Sequence, residues 1–133
     1  MIKTIGIDTN IIIRFLLHDH PTLSPLAKSI FLKAEQGKIK LYLDEVVIAE
    51  VIWTLSSFYQ IKKADLVDRM EKLLSCNWVI NPKKNMVHKA LQLYASSNLD
   101  YIDCWVYTVS KSRGIALEIF DKKLKKLFLA GED

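Results

Sequence analysis

Acidic residues stand where the apolar segments of this 133-residue sequence end or begin. Asp8, Asp100, Asp103 and Asp121 occupy such positions, and so does Asp44, which is predicted to cap the helix that follows it. Carboxylates that gather within a few ångströms repel one another, so the group must bind protons or a cation. Since no His or Cys accompanies them in a metal-ligand pattern, the ligands would all be oxygen atoms, which favours Mg²⁺ or Mn²⁺.

The chemistry best served by such a cluster is hydrolysis of a phosphodiester. A divalent cation held by carboxylates activates a water molecule and stabilises the charge that develops on the phosphate. The sequence has no GxSxG motif, no credible Cys/His pair and no P-loop, so the common alternatives to a metal-activated water are missing.

The elements that must position these acids follow an alternating α/β pattern. Strands are predicted over residues 2–7, 38–43, 78–80 and 115–120. Helices are predicted over residues 11–17, from a cap at Thr22 to a stop at Gly37, over 45–59, 63–75 and 86–96, from about Asp100 to Gly114, and over 122–128. In a parallel α/β layout, strand ends and helix starts share one edge of the sheet, so the acids are predicted to converge there.

Glu50 is the only charged residue within the apolar stretch Val46–Trp53. A helix that is apolar on nearly every side should be buried, and a carboxylate inside it would require a cation or a shifted pKa. The alternative is a glutamate at the edge of the buried face that reaches water on its flexible side chain.

Each acid also has a purely structural explanation. Asp8 can cap the helix that follows it, and Asp100 with Asp103 resembles a capping box at a helix N-terminus, where acids are favoured anyway. Five such acids, Glu50 included, are less easily explained as unrelated caps than as one site. The paired His18 and His20 lie in a loop without a third ligand and are predicted to be solvent-exposed loop residues.

Composition indicates one globular domain spanning residues 1–133, with 50% hydrophobic and 26% charged residues. No apolar run approaches the ~18 residues of a membrane span, and the N-terminus lacks the pattern of a secretory signal. Cys76 and Cys104 are isolated, which predicts a cytoplasmic protein with reduced thiols. The net charge of +4 is compatible with a polyanionic partner without identifying one.

Four short motifs carry a resemblance to a known family. They are Ile7-Asp8-Thr9-Asn10, Glu50 ahead of Trp53, Asp100-Tyr-Ile-Asp103, and Phe120-Asp121-Lys122-Lys123-Leu124. Together they resemble the acidic motifs of the PIN domain, and their order and spacing are most similar to the VapC-type toxins of toxin–antitoxin pairs. The resemblance covers nearly the whole chain.

The resemblance implies a three-layer α/β/α sandwich with a central, mainly parallel sheet, and a Mg²⁺- or Mn²⁺-dependent endoribonuclease. It also implies a homodimer and inhibition by a cognate antitoxin. The catalytic and metal-binding quartet would be Asp8, Glu50, Asp103 and Asp121. Asp100 and Asn10 would support it from outside the metal's ligand set, with Asn10 helping to hold Asp8 and its metal-bound water.

One position departs from the family pattern. Ile119 stands where many relatives carry a Ser or Thr two residues before the last aspartate. The ligands stay in place without this hydroxyl, but the support of Asp121 is in question and activity lower than typical is expected. The departure also keeps open a non-catalytic PIN-like module that binds RNA or a protein partner.

Basic residues near the acids could neutralise RNA phosphates: Arg14, Lys122, Lys123, Lys125 and Lys126. A Lys-rich terminal helix is also compatible with an ordinary solvated surface, and Arg14 could instead form a structural ion pair.

Two other acid-dependent families fit less well. A phosphotransferase of the haloacid-dehalogenase type needs a second acid two residues after the first, where this sequence has Asn10. A receiver domain would need an acceptor aspartate at the end of a middle strand, and residues 76–81 provide none.

Overall fold

The computed structural model describes residues 2–120, 122, 125 and 126. The chain divides into two compact units, Met1–Pro82 and Lys83–Asp133. The predictions for Asp121 and Lys123, and most of the predicted helix over residues 122–128, lie outside the described residues. Within that helix, Lys122, Lys125 and Lys126 have helical backbone and exposed side chains.

The first unit alternates strands and helices. In chain order it contains β1 (Lys3–Gly6), α1 (Thr9–Leu17), α2 (Leu23–Glu35), β2 (Ile39–Tyr42), α3 (Glu45–Trp53), a π-helical turn (Thr54–Phe58), α4 (Lys63–Ser75) and β3 (Val79–Ile80). These bounds agree with the sequence patterns to within a few residues.

The three strands form a parallel sheet in the order β1-β2-β3. Gly6 is paired with Tyr42, and Tyr42 is paired with Ile80. Because the strands are parallel and in this register, the residues that follow β1 and β2 leave the sheet at the same edge. Asp8 and Asp44, each two residues beyond its strand, therefore belong to one rim.

The core of this unit is formed by fully buried aliphatic side chains of the sheet and of the helices packed on it. They include Ile12, Leu41, Leu43, Ile48, Val51, Ile52, Leu55, Leu66, Met70 and Val79. Burying a side chain of this size contributes about 1.5–3 kcal/mol. This burial fixes α1 and α3, and with them the residues at their ends.

Helix α3 is buried on one face, and the prediction of burial on nearly every side is wrong. Ile48, Val51 and Ile52 are buried, whereas Val46, Glu50 and Trp53 are exposed. These exposed residues follow the i, i+4, i+7 spacing of a single helical face. Glu50 therefore reaches water, and the expected desolvation of its carboxylate does not occur.

The end of this helical segment winds into a π-helical turn. The Tyr59 backbone N–H donates to the carbonyl of Thr54 at 3.2 Å, and the Ile61 N–H donates to that of Leu55 at 2.9 Å. Such wider turns are rare and are frequently found at functional sites. The turn buries Leu55, exposes Phe58 and precedes Tyr59.

Helix α2 is capped by a histidine and not by the predicted threonine. The Thr22 side chain makes no capping hydrogen bond, whereas Nδ1 of His20 accepts from the N–H groups of Thr22 and Leu23 at 3.2 and 2.9 Å. His18 is exposed, as predicted, and its left-handed backbone ends α1. His20 is half-buried and has this structural role.

The second unit contains two helices of 13 residues each, α5 (Lys84–Ser96) and α6 (Tyr101–Arg113), which pack on each other. The rings of Tyr94 and Tyr101 meet edge to face, with centroids 6.0 Å apart. Gly114 ends α6 in the left-handed conformation at φ 64°, as its sequence position predicts.

The predicted strand Ile115–Phe120 is not formed. Residues 115–120 have no regular secondary structure, and Ile115 and Phe120 are 50% and 105% exposed. An apolar, β-branched run becomes a strand only where a neighbouring strand supplies its backbone hydrogen bonds. The described part of this segment lacks such pairing.

None of the described helices has the length and apolar character needed to cross a membrane. The predicted fold class, an α/β protein with a parallel sheet, is confirmed.

Candidate functional site

Asp8 lies at the junction between β1 and α1 and is exposed. Its backbone is extended, with φ −93° and ψ 174°, and its Oδ1 accepts a hydrogen bond from the Ile11 N–H at 3.0 Å. The capping explanation is therefore correct, but capping uses only one carboxylate oxygen. Oδ2 makes no hydrogen bond to the described part of the chain and remains available to a ligand.

A side-chain hydrogen bond joins this junction to α3. The Thr9 hydroxyl donates to Oε2 of Glu50 at 2.9 Å, across 41 positions of sequence. Because Thr9 follows Asp8 directly, the bond brings Glu50 next to the end of β1. The structure thus links one predicted acid, Glu50, to the residue that follows another, Asp8.

Asn10 and Arg14 lie four residues apart on α1 and are hydrogen-bonded to each other. Nε of Arg14 donates to Oδ1 of Asn10 at 3.2 Å, and Nη1 donates to both carboxylate oxygens of Asp19 at 3.0 Å. The hydrogen bonds to Asp19 raise the pKa of Arg14 above its ordinary value, while partial burial opposes the shift. Arg14 forms the structural ion pair that the sequence left open.

The same rim continues at the end of β2. Oδ2 of Asp44 accepts from the Val46 N–H at 3.0 Å and so caps α3, and its Oδ1 accepts from the Tyr42 hydroxyl at 3.1 Å. The buried amide of Asn81 donates to the Leu43 carbonyl at 2.7 Å, which ties the end of β3 to that of β2. These bonds fix the rim from which α3 projects Glu50.

The other predicted site acids that the structure describes, Asp100 and Asp103, lie in the second unit at the start of α6. Asp100 occupies the N-cap position with φ −69° and ψ 155°, yet its side chain makes no capping hydrogen bond. Asp103 lies in the first turn and is half-buried. The predicted capping-box arrangement is therefore wrong at Asp100, whose exposed carboxylate does not cap the helix.

The donor set is chemically suited to a hard divalent cation. Asp8 and Glu50 offer carboxylate oxygens, whereas the Thr9 hydroxyl and the Asn10 amide oxygen are engaged by Glu50 and Arg14. Among residues 2–120, 122, 125 and 126, no three His, Cys, Asp or Glu side chains are close enough together to hold a metal ion. The four-acid ligand set, which includes Asp121, stays a prediction.

Two residues of this site were not singled out by the sequence, namely Thr9 as a partner of Glu50 and Asp19 as a partner of Arg14. Thr9 stands inside the first acidic motif, so its position was a usable signal. Its partner could not be inferred, because a contact across 41 residues depends on the packing of α1 against α3.

Similarity in sequence relates the chain to known proteins. The chain is 25% identical over 122 residues to a VapC ribonuclease of Aquifex aeolicus (strain VF5), and the match covers 91% of this chain and 90% of the relative. No solved structure gives a significant match. The family model of the PIN domain matches residues 5–128, which include all four predicted acids. The chain therefore belongs to the PIN domain family.

Proposed function

We propose that this protein is a metal-dependent endoribonuclease and the toxin of a toxin–antitoxin pair. It would hydrolyse RNA phosphodiester bonds in the cytoplasm. The family and the similarity to a VapC ribonuclease support the ribonuclease assignment. Mg²⁺ or Mn²⁺ is the cofactor that suits carboxylate ligands.

One observation carries the proposal. The hydrogen bond from Thr9 to Glu50 brings an acid of α3 beside the acid that ends β1. Both carboxylates are exposed, and each accepts a hydrogen bond through one oxygen from the described part of the chain. An exposed carboxylate that follows β1 and a second one bonded to the next residue, neither with a Lys or Arg ion pair among the described residues, suit a cation.

In the proposed site, Asp8, Glu50, Asp103 and Asp121 bind the cation and act in catalysis. Asp8 is held by the N-terminus of α1, and Thr9 restrains Glu50. When bound, the cation acts as a Lewis acid on the phosphate and activates the attacking water. Asn10 and Asp100 support the site without binding the metal. A water-mediated or direct hydrogen bond from Asn10 would orient the reacting groups.

The RNA would be held by charge near the last acid. Lys122 and Lys123 follow Asp121 directly in the sequence, and the side chain of Lys122 is exposed. Phosphate contacts of this kind give affinity that falls with salt and carry little sequence information.

The proposal includes two protein partners, a second copy of the chain and an antitoxin. Exposed apolar side chains of α3 and the π-helical turn support protein contacts, since Val46, Trp53 and Phe58 are 63%, 67% and 75% exposed. Light scattering should give the molar mass of two chains. Co-expression with the product of a neighbouring small gene should relieve growth arrest and yield a stable complex.

The direct test is a cleavage assay with purified protein and a set of structured and unstructured RNAs. We expect internal cleavage with Mg²⁺ or Mn²⁺, none with excess chelator, and recovery when the ion is restored. Asp103→Asn should lower the rate at least about 100-fold, because losing a metal ligand should exceed the 10–100-fold typical of residues that only support ligands.

The alternative is a non-catalytic PIN-like module that binds RNA or a protein. Ile119 favours it, because the hydroxyl expected two residues before Asp121 is missing. RNA that stays intact across all substrates and metal ions, while still binding the protein, would support the module and contradict the nuclease.

A further inference from the structure

The Arg14 side chain binds two residues of its own unit through Nε and Nη1. Nη1 donates to both oxygens of Asp19 at 3.0 Å, and Nε donates to Oδ1 of Asn10 at 3.2 Å. The side chains of Arg14 and Asp19 are only 24% and 35% exposed. A planar guanidinium can make both sets of bonds at once, whereas an ammonium group would have to choose between them.

The surroundings hold this arrangement from several sides. Tyr59, which follows the π-helical turn, raises the pKa of Arg14 together with Asp19, whose contribution is the largest. Arg69 of α4 donates to the carbonyl of Leu16 at 3.1 Å and so fixes the last turn of α1. The left-handed backbone of His18 then turns the chain so that Asp19 faces Arg14.

These contacts determine which end of the Asn10 amide is available to a ligand. Arg14 is only a donor, so the atom of Asn10 that faces it must be the oxygen. The NH₂ group is therefore the end that remains for a ligand. An NH₂ group donates to anionic oxygen and does not bind a metal cation.

We propose that Arg14, held by Asp19, is a positioning residue that fixes the Asn10 amide as a hydrogen-bond donor toward a phosphate oxygen of RNA. This inference rests on the proposed ribonuclease function and deepens it. It also replaces the sequence-based assignment of Arg14 as an RNA-binding residue. The pair of Arg14 and Asp19 is neutral overall, so its contact with RNA would displace few counterions from the phosphates and add little affinity.

Arg14→Lys is the decisive variant, because it keeps the positive charge and removes the planar guanidinium that binds Asn10 and Asp19 at once. A phosphate contact would survive in this variant, whereas the positioning of Asn10 would not. We expect cleavage by Arg14→Lys and Arg14→Met to fall alike, by about 10- to 100-fold, because a small misplacement of a positioned group costs this much. Full activity of Arg14→Lys beside an inactive Arg14→Met would overturn the proposal.

Binding of single-stranded RNA in chelator separates the two roles without catalysis. Losing one phosphate contact should reduce the slope of log K against log salt by about 0.7. We expect Arg14→Met to leave the slope unchanged, and a reduction of that size would overturn the proposal. Asp68 and Lys72 form an exposed ion pair at 3.0 Å on α4, so Lys72→Met and Asp68→Asn are matched controls that should keep activity.

Asn10→Asp tests the donor directly. Arg14 can still bind the new carboxylate, but the NH₂ group is lost. Measured at saturating Mn²⁺, cleavage should fall about 10-fold or more, mainly through a higher KM, with a melting temperature close to that of the wild type. Unchanged cleavage would show that no donor is needed there.

The contact itself can be tested apart from RNA. In the NMR spectrum of the whole protein, the Arg14 Nε–H signal should exchange slowly with water, and Asp19→Asn should accelerate this exchange. Equal, fast exchange in both proteins would disprove the restraint, whether or not RNA is cleaved. A protected signal in a wild-type protein that cleaves no RNA would instead disprove the proposed function and the phosphate-directed role, while leaving the restraint intact.

Discussion

The starts of α1 and α6 look alike in sequence and differ in what their aspartates do. Asp8 and Asp100 both precede a helix with extended backbone, at φ −93° and −69°. Asp8 accepts the Ile11 N–H at 3.0 Å, whereas the Asp100 side chain makes no capping hydrogen bond. Asp44, with φ −71°, caps α3 in the same way that Asp8 caps α1.

The difference shows that residue type and backbone angle do not decide the use of a carboxylate. The presence of a capping aspartate is partly explained by its contribution to helix stability, which is typically about 1 kcal/mol. Asp100 lacks that explanation, because its exposed carboxylate makes no capping hydrogen bond. Substitutions that separate capping from catalysis therefore test whether Asp8 and Asp100 differ from Asp44 in function.

The largest effect is expected for Asp8→Asn. Asparagine caps a helix about as well as aspartate, so α1 should stay folded, but the amide cannot replace a charged metal ligand. RNA cleavage should fall at least about 100-fold, since support residues alone cost 10–100-fold. The measurement is the initial rate at saturating Mn²⁺.

Asp44→Asn is the matched control, because it also replaces a capping acid at the end of a strand. It should keep cleavage while losing a little stability, because an NH₂ group replaces one of the two oxygens that accept from Val46 and Tyr42. Equal losses of cleavage in Asp8→Asn and Asp44→Asn would mean that the rim tolerates no change, and Asp8 would lose its special role.

A smaller loss is expected for Thr9→Val, which removes the hydroxyl that donates to Glu50 at 2.9 Å. The shape of the side chain is retained, so a reduction of about 10-fold would report on the restraint of Glu50. Thr9→Ser restores the hydroxyl and should recover most of the activity. If valine and serine behave alike in the cleavage assay, the hydrogen bond has no functional role.

The contrast between Asp44 and Asp100 should appear in stability. Asp44→Ala removes a capping acceptor and should lower the free energy of unfolding by about 1 kcal/mol. Asp100→Ala removes no such bond and should change it by less than about 0.5 kcal/mol. Urea unfolding followed by circular dichroism gives both values, and a larger loss for Asp100→Ala would contradict the assignment.

The smallest effect is expected at alkaline pH. The hydrogen bond to Asp44 raises the pKa of Tyr42 above its usual 10.0. The folded state therefore holds this proton more tightly than the unfolded chain, so the stabilisation is present below about pH 10 and is lost as the pH rises through the raised pKa. Unfolding midpoints of the wild type and Tyr42→Phe should converge over this range, and parallel curves would contradict the shift.

Much of the fold could be predicted because its signals are local. The run before Asp8 forms β1, Asp44 starts α3, and Gly114 ends α6. Strand 115–120 could not be predicted correctly, because a strand requires a partner that no short stretch of sequence specifies. The burial of Glu50 was mispredicted for a related reason, since a nearly all-apolar helix does not reveal which face packs.

By itself, the sequence determined the order of the acidic motifs and the placement of Asp8 at the end of a strand. These features follow from hydrophobic patterning and capping chemistry within a few residues of each acid. Tertiary structure decided that Thr9 binds Glu50 and that the guanidinium of Arg14 faces Asp19. Such contacts depend on how α1 packs against α3 and on where the chain turns after α1, and only the folded core fixes both.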